Sequence, residues 1–430
     1  MDERTPMNTS DFLEERIKTR PRNRKRIMRR AFEVAVLAVL FGLIACVTMA
    51  FVSPILEEKL FPTPTHTNEV KFPEESAPYI KEEVRPEDML LADEEPEPSI
   101  VIEEPDTETL LLETIYLLKQ KAEYCKRWLV QVDGVSSSVS WLESINTSSN
   151  SAMGAIVADN GSEILVLVER DGLLNADKIK VTFVDGMVTE GYVKGEDIDA
   201  GLAVVAVSKE LLSEETLEQC KVVEMTSSNN KALVGSAVMA MGSPNGVNGS
   251  VVYGFITANG VEVNSWDVNY RLITTDMYGV TNPKGFLVNL QGQLLGVLYQ
   301  DDNSEETSNM ITALGISELK RKVERMSNGE AASMFGVKGK EVTEQARGEY
   351  GIPYGAYVLG VKLDSPAMKA GIQAGDIIIK VGDKDISSMT SLSYHLQQMD
   401  VGETVEMVIM RQSQGTYKES VLNIVLENQN

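Results

Sequence analysis

The chain has 430 residues, which is enough for two or three domains that each bury a core. Its formal net charge of −24 argues against nucleic-acid binding, because phosphate recognition depends on clustered Lys and Arg. A hydrophobic fraction of 43% with 32 Gly indicates a globular protein with many turns. No cofactor or metal site is predicted. Of the three cysteines, Cys46 falls in an apolar segment, whereas Cys125 and Cys220 are either buried small side chains or, in an oxidising compartment, a pair.

The N-terminal segment has the pattern of a membrane anchor. Residues 22–30 hold six basic side chains, and the stretch that follows is apolar over a length that can span a bilayer. We therefore expect a basic cytoplasmic tail at 1–30 and a transmembrane helix at 31–53. The positive-inside rule then places the remaining chain outside the cytoplasm, at the cell membrane. A cleaved signal peptide is the alternative, but its apolar region would be shorter.

Residues 54–106 are crowded with Glu, Asp and Pro. Such a segment buries too little apolar area to offset chain entropy, and its like charges keep it extended. It is predicted to be an acidic, disordered spacer.

The next part of the chain predicts one helix and then many strands. Residues 107–126 place Leu110, Leu111, Ile115 and Leu118 at helical spacing, which indicates an amphipathic helix. Short apolar runs separated by Gly, Asn and Asp then predict strands. The runs are 128–132, 152–158, 163–168, 178–184, 202–207, 237–241 and 250–257. Many short strands with little helix favour a barrel or a sandwich, and periodicity does not choose between them.

Three longer runs carry a family resemblance: GAIVADNGSEILVL, IKVTFVDGMVTEGYVKGEDIDAGLAVVAV and VGSAVMAMGSPNGVNGSVVYGFIT. In this order they resemble the protease domain of the HtrA (DegP/DegS) family over about residues 128–326. The resemblance implies a mainly β fold, with a chymotrypsin-like double β-barrel at 107–327 whose active site would lie in the cleft between two six-stranded barrels.

The three catalytic positions of that family depart from its pattern. The run EILVLVERD places Glu169 at the histidine position, AGLAVV places Gly201 at the aspartate position, and TNPKGFLVN places Pro283 at the serine position. A trypsin-like reaction needs a serine activated by a histidine that an aspartate orients. The resemblance therefore implies a degenerate triad and a pseudoprotease.

Composition supports this interpretation. The chain has only two histidines, His66 in the spacer and His395 near the C-terminus, so the barrels contain none. Pro283 also has no N–H with which to stabilise an oxyanion. Lys284 is the one candidate for a Ser–Lys dyad, but no serine partner is evident and a loop lysine is usually solvated.

The C-terminal part, 328–430, resembles an HtrA-type α+β PDZ domain, with SPAMKAGIQAGDIIIKVGDKDI as its closest run. A helix predicted at 316–329 would join it to the barrels. The carboxylate-binding loop of the family aligns with Met334, Phe335, Gly336 and Val337. The facing helix is predicted at 388–399.

That facing helix offers Leu392 and Leu396 as groove residues. PDZ domains bind an extended C-terminal peptide as an added strand and capture its carboxylate with backbone N–H groups. The two leucines are either part of such a groove or ordinary core side chains.

These features predict a membrane-anchored, extracytoplasmic HtrA-like pseudoprotease. Its partners would be C-terminal or unfolded peptide segments of envelope proteins, bound by the PDZ domain in a scaffold, sensor or regulator role. A serine endopeptidase of envelope quality control is the enzymatic alternative. A regulatory subunit of an active HtrA paralogue is the third possibility, and the family resemblance also implies a possible homo-trimer.

Overall fold

The computed structural model describes residues 68–72, 107–136, 151–300 and 309–429. The predicted basic tail and transmembrane segment lie outside the described residues, as does most of the predicted spacer. Within the described ranges, no helix combines the length and apolar character that a membrane crossing requires.

The predicted N-terminal helix is present as α1 (Thr107–Cys125). Its apolar stripe is not covered, because Leu110, Leu111 and Ile115 are each about half exposed. Cys125, at its C-terminal end, is fully buried. Cys125 and Cys220 are both free thiols, so the two are not paired in this structure.

The first barrel follows α1. Its strands are β1 (Leu129–Val135), β2 (Ser151–Asp159), β3 (Glu163–Glu169), β4 (Lys178–Thr182), β5 (Val188–Asp197) and β6 (Leu202–Ser208). They close in the order β1-β2-β3-β6-β5-β4, with β4 pairing back onto β1. The central strands β3 and β6 are apolar and β-branched almost throughout, which is typical of strands buried on both faces.

The second barrel is built in the same way after a short helix, α2 (Glu214–Gln219). Its strands are β7 (Ala237–Ser243), β8 (Ser250–Asn264), β9 (Asn269–Tyr278), β10 (Lys284–Asn289), β11 (Leu294–Leu298) and β12 (Met310–Gly315). Pairing of β10 with β7 closes the order β10-β11-β12-β9-β8-β7. The mainly β, double-barrel prediction is therefore confirmed. Contacts of β10 with β2 and β3 bring the two barrels together along one cleft.

Helix α3 (Ile316–Asn328) connects the barrels to the C-terminal domain. It packs on both barrels through a buried face that includes Leu319 and Val323. It ends where Gly329 adopts φ +69, and the Gly329 N–H donates to the carbonyls of the last turn. A left-handed glycine of this kind is a common helix stop, as the sequence predicted.

The C-terminal domain is a small sheet flanked by helices. Its elements are β13 (Ser333–Met334), β14 (Val337–Glu341), α4 (Glu344–Tyr350), β15 (Ala356–Val361), α5 (Pro366–Lys369), β16 (Ile377–Val381), β17 (Lys384–Asp385), α6 (Met389–Leu396), β18 (Thr404–Ser413), β19 (Thr416–Val425) and β20 (Glu427–Asn428). The main sheet has the order β14-β15-β16-β18-β19. Helix α6 is shorter than the predicted 388–399, because Ser388 caps its first turn and helical geometry stops at Leu396.

Residues 68–72 correct the expectation of a spacer that is unstructured throughout. The Val70 N–H donates to Asn328 Oδ1 at 2.9 Å, and Asn328 Nδ2 donates to Val70 O at 3.1 Å. The Asn68 N–H donates to Asn160 O at 3.1 Å. These five residues are thus fastened to the end of α3 and to the first barrel, with Val70 buried. The hydrogen-bonded backbone groups and the burial of Val70 explain why residues 68–72 have a defined conformation.

Candidate functional site

The cleft between the barrels contains an ion pair. Glu169 ends β3, and its Oε2 lies 3.0 Å from Lys284 Nζ at the start of β10. The two side chains are 18% and 28% exposed, so the pair is partly withdrawn from water. The Gly285 N–H also donates to the Glu169 carboxylate. Burial raises the pKa of Glu169, and the Lys284 ammonium and this N–H act in the opposite direction.

Gly201 lies beside Glu169 because Leu202, the residue after it, pairs with Glu169 in the β3–β6 ladder. The Arg170 N–H donates to Gly201 O at 2.9 Å, which ties the two strand ends together. Gly201 has φ +66, a conformation that glycine adopts without strain. With no side chain, it presents no carboxylate to Glu169.

Pro283 is buried at the turn that leads into β10, next to Lys284. The preceding residue, Asn282, has φ +63, and Gly285 has φ +123. A Cβ on Gly285 would lie 2.2 Å from Met241 O, so the backbone of β10 runs tightly against β7. The turn is therefore held in one conformation, with the proline where its ring cannot donate a hydrogen bond.

These contacts bring the three positions together at one point of the cleft. Glu169 and Lys284 neutralise each other, and neither is a hydroxyl or thiol nucleophile. The prediction of a solvated Lys284 was wrong, because its ammonium is paired. No group of His, Cys, Asp or Glu among the described residues is arranged to hold a metal ion.

The predicted carboxylate-binding loop lies between β13 and β14. Met334 is in β13, which pairs with β20, and Phe335 and Val337 are buried. Gly336 has φ +95 and lies so close to Ser365 that a Cβ would meet the Ser365 Cβ at 2.2 Å. Only glycine fits this position.

The two leucines of the facing helix are core residues. Leu392 and Leu396 on α6 are buried, at 0% and 4% exposure, in the same cluster as Phe335 and Val337. They form the floor on which strand β14 rests. Of the two roles that the sequence allowed, groove residue or ordinary core side chain, their packing matches the second.

A carboxylate of the chain itself occupies the predicted carboxylate-binding loop. Asp267 lies in the turn between β8 and β9 of the second barrel. Its Oδ1 accepts hydrogen bonds from the N–H groups of Gly336 at 2.8 Å and Val337 at 2.9 Å. Its Oδ2 accepts from the Phe335 N–H at 2.8 Å and the Gly336 N–H at 2.9 Å. Burial raises the pKa of Asp267, and these N–H groups act in the opposite direction.

The residues around Asp267 also contact strand β14 and the residues on it. The Asp267 N–H donates to Val337 O at 2.7 Å. Two residues further along β14, the side-chain amide of Asn269 donates to Gly339 O at 3.1 Å. The Lys338 ammonium lies 4.7 Å from the centre of the Trp266 ring. The contact therefore combines capture of a carboxylate with one backbone and one side-chain hydrogen bond to β14. C-terminal peptide recognition likewise joins carboxylate capture to hydrogen bonds along a strand edge.

Asp267 was not predicted as a site residue. It stands in the sequence NSWDVN, which signals a turn between two strands and nothing more. Its role depends on the docking of one domain on another, and no spacing or periodicity in the chain encodes that.

Further polar contacts fasten the C-terminal domain to the barrels. The Arg325 guanidinium, on α3, donates to the carbonyls of Gln397 and Met399 at 3.3 and 3.1 Å. The Lys362 ammonium lies 3.2 Å from an Asp199 carboxylate oxygen. The docking surface is therefore rich in charged groups, in keeping with the polar character of interfaces between domains of one chain.

Comparison with known families and proteins agrees with this architecture. A family model described as "PDZ domain" matches residues 320–421. The chain is 29% identical over 272 residues to "Putative serine protease HhoB" of Synechocystis sp., covering 60% of this chain and 62% of that one. It is 28% identical over 268 residues to "Probable serine protease do-like" of Buchnera aphidicola, covering 61% and 54% respectively. It is 25% identical over 300 residues to "Serine protease Do-like HtrA" of Lactococcus lactis, covering 65% and 71%.

The chain thus spans only about half to three fifths of the length of the first two of these relatives. Among solved structures, "HtrA-type protease AlgW with tripeptide" superposes with a TM-score of 0.52 at 20% identity, covering 73% of this chain and 97% of that chain. This likeness concerns the fold. Together, the double barrel, the PDZ match and these relatives support assignment of the chain to the HtrA-like family with a C-terminal PDZ domain.

Proposed function

We propose that this chain is a peptide-binding HtrA-like protein whose PDZ domain recognises free C-termini, and whose barrels perform no serine-protease chemistry. Its ligands would be C-terminal or extended segments of envelope proteins. It would act on them as a scaffold, a sensor or a regulator.

One observation carries the binding proposal. Three consecutive backbone N–H groups, those of Phe335, Gly336 and Val337, converge on a single carboxylate. Hydrogen bonds to an ionised acceptor are the strong ones, and here the donors are fixed by Gly336 and by the core beneath the loop. The loop thus has the geometry to hold a carboxylate, and a peptide C-terminus supplies the same group.

The proposal of a pseudoprotease rests on the cleft. Glu169 stands where the family resemblance places a histidine base, and it is committed to Lys284. Pro283 stands where a nucleophile is needed and has no hydroxyl. A buried carboxylate beside this point would also oppose a developing oxyanion, which enzymes stabilise with donors rather than with negative charge.

The location is proposed from the sequence. Six basic residues at 22–30 precede an apolar stretch of bilayer length, and an acidic segment follows it. This order favours a single-pass anchor, with the barrels and the PDZ domain on the extracytoplasmic side. Protease protection of the C-terminal domains in intact spheroplasts tests it. Digestion by externally added protease is expected, and resistance until lysis would contradict this orientation.

Peptide binding is tested with fluorescein-labelled decapeptides that end in Val, Leu, Ile or Phe. Each peptide is made as a free acid and as an amide, and fluorescence anisotropy is measured with the purified full chain in mild detergent. The free acids should bind in the micromolar range or weaker, and amidation should weaken binding, because the amide forfeits the charge that the loop N–H groups recognise. Equal affinity for the two forms would reject the carboxylate-loop assignment.

The absence of proteolysis is tested with unfolded, labelled casein, with trypsin as the positive control. No release of label above the buffer blank is expected from the full chain. Release that persists in a tag-free repeat preparation, and after replacement of each serine near the cleft, would show that the barrels use some other chemistry.

A further inference from the structure

The occupied carboxylate loop has a consequence for the proposed peptide binding. Residues 265–268 form a turn, called here the 265–268 turn, which the Ser265 N–H closes by donating to Val268 O at 2.9 Å. This turn carries Asp267 into the PDZ domain from the second barrel. The three loop N–H groups that would bind a peptide carboxylate already donate to Asp267.

We propose that Asp267 is a built-in occupant of the PDZ groove, so that a C-terminal peptide binds only by displacing the 265–268 turn. This inference rests on the proposed peptide-binding function and concerns the regulation of the same site. Two carboxylates cannot share one set of three N–H groups at hydrogen-bond distance, because their charges would repel within a partly buried loop.

The contacts around Asp267 extend the overlap beyond the carboxylate. The Asp267 N–H uses Val337 O, and the Asn269 amide uses Gly339 O. Both acceptors are on β14, the strand edge to which an incoming peptide would add. Val268 and Leu396 line one cavity of about 40 Å³, so the turn also lies against the end of α6 that faces the groove. The turn therefore covers the start of the groove as well as the loop.

The same contacts define a closed state and an open state. In the closed state Asp267, Arg325 and the Lys362–Asp199 pair hold the PDZ domain on the barrels. In the open state the loop N–H groups are free for a peptide. Apparent affinity equals the intrinsic affinity reduced by the open fraction, so any change that removes Asp267 from the loop tightens peptide binding.

The test compares the full chain with Asp267→Asn and Asp267→Ala. Asparagine keeps the size of the side chain but loses the charge and turns an amide N–H₂ towards three donors. Alanine removes the occupant. Asp383→Asn is the matched control, because it removes one carboxylate from an exposed turn of the PDZ domain. This control accounts for the general effect of charge on an anionic peptide. Thermal unfolding of each variant confirms that it is folded.

With the free-acid decapeptides defined above, both Asp267 variants should bind at least about tenfold more tightly than the unaltered chain, and Asp383→Asn should not. Equal affinity of the unaltered chain and the Asp267 variants, with free acids still preferred over amides, would overturn this inference and leave the proposed function intact. Loss of the preference for free acids in all four proteins would instead reject the proposed function.

A second measurement needs no substitution. Hydrogen exchange of the unaltered chain, with and without a saturating free-acid peptide, reports on the Asp267 N–H, which donates to Val337 O in the closed state. Peptide should accelerate exchange across 265–269 while it protects β14. Unchanged exchange at 265–269 under saturating peptide would show that the turn remains in place, and would contradict displacement.

Discussion

The Glu169 carboxylate and the Lys284 ammonium form a 3.0 Å ion pair at the point of the cleft where the family resemblance places a catalytic histidine and the residue after a catalytic serine. Partly buried pairs of this kind contribute little net stability compared with apolar residues of similar size. Removal of one partner, however, leaves an uncompensated charge. Substitutions at Glu169 and Lys284 therefore test whether this ion pair contributes to the stability of the fold.

Replacement of Lys284 by Met should lower the free energy of unfolding by roughly 1–3 kcal/mol at neutral pH, because the Glu169 carboxylate then lacks its counter-charge. The double variant Glu169→Gln/Lys284→Met should recover most of this loss. Urea denaturation followed by circular dichroism measures both. A double variant as unstable as the single one would show that Lys284 contributes through packing and not through charge.

The pH dependence of stability should identify Glu169 directly. Its pKa is raised in the folded state because of burial. The stability that this group contributes is thus fully present below the pKa of the unfolded chain, and it is lost as pH rises through the folded-state pKa. The free energy of unfolding of the unaltered chain, minus that of Glu169→Gln, should therefore fall as pH rises above about 4, where a glutamate of the unfolded chain titrates. A difference that rises with pH would mean that Lys284 outweighs burial.

The double barrel was predictable because several features of the sequence agree. The runs of β3 and β6 are apolar and β-branched, the turns between strands carry Gly and Asn, and three long runs match one family in order. Helix α3 was predictable to within a residue, because an amphipathic pattern ends at Gly329. These signals are local, and each strand or helix carries its own.

The site was only partly predictable, because its decisive contacts join distant segments. Asp267 meets Phe335 across 68 residues, and neither sequence neighbourhood records the other. The ion pair between Glu169 and Lys284 likewise joins two residues that are far apart in the sequence. For α1, the residue spacing predicted an apolar stripe but could not show whether another element covers it. Leu111 on this stripe is 59% exposed. Periodicity describes the face of a helix and carries no information about what covers it.

The thiols of Cys125 and Cys220 should react slowly in the folded protein. Burial raises the pKa of each thiol to about 11. Because the thiolate is the nucleophile, alkylation by iodoacetamide at pH 8 should be about a hundredfold slower than in urea-unfolded protein, with Cys125 the slower of the two because it is fully buried. Peptide mass spectrometry resolves the two sites. Rapid labelling of Cys125 in the folded protein would contradict the packing at the end of α1.

Gly336 should tolerate no side chain. Replacement by Ala would place a Cβ 2.2 Å from the Ser365 Cβ and would hold alanine at φ +95. Both effects destabilise the loop, and together we expect a loss of about 2–4 kcal/mol in the free energy of unfolding of the PDZ domain.

Gly360 is the matched control for this change. It lies in β15, which pairs with β14, and a Cβ there would meet nothing within 4 Å. Gly360→Ala should stay within about 0.5 kcal/mol of the unaltered chain. Denaturation curves of the two variants decide the comparison. Similar losses in both would show that the close approach to Ser365 is not what requires glycine at 336.

Arg325 should be the residue of α3 that matters most for holding the PDZ domain on the barrels. It is 7% exposed, and its guanidinium reaches the carbonyls of Gln397 and Met399 and the Asp400 carboxylate. Replacement by Met keeps the length of the side chain but leaves these acceptors without their donor. We expect a loss of roughly 2–4 kcal/mol and a more mobile PDZ domain.

Arg321, on the same helix, provides the control for Arg325→Met. Its side chain is 43% exposed and its ion pair with Glu324 lies within α3, so Arg321→Lys, which keeps a positive charge beside the buried Glu324 carboxylate, should change stability by less than about 1 kcal/mol. Limited proteolysis between α3 and β13 measures the docking itself. Arg325→Met should be cut there faster than the unaltered chain, because undocking exposes the connection. Equal cutting of the Arg321 and Arg325 variants would contradict a special role for Arg325 in the interface. If docking and peptide access are linked through Asp267, Arg325→Met should also bind free-acid peptides more tightly than the unaltered chain.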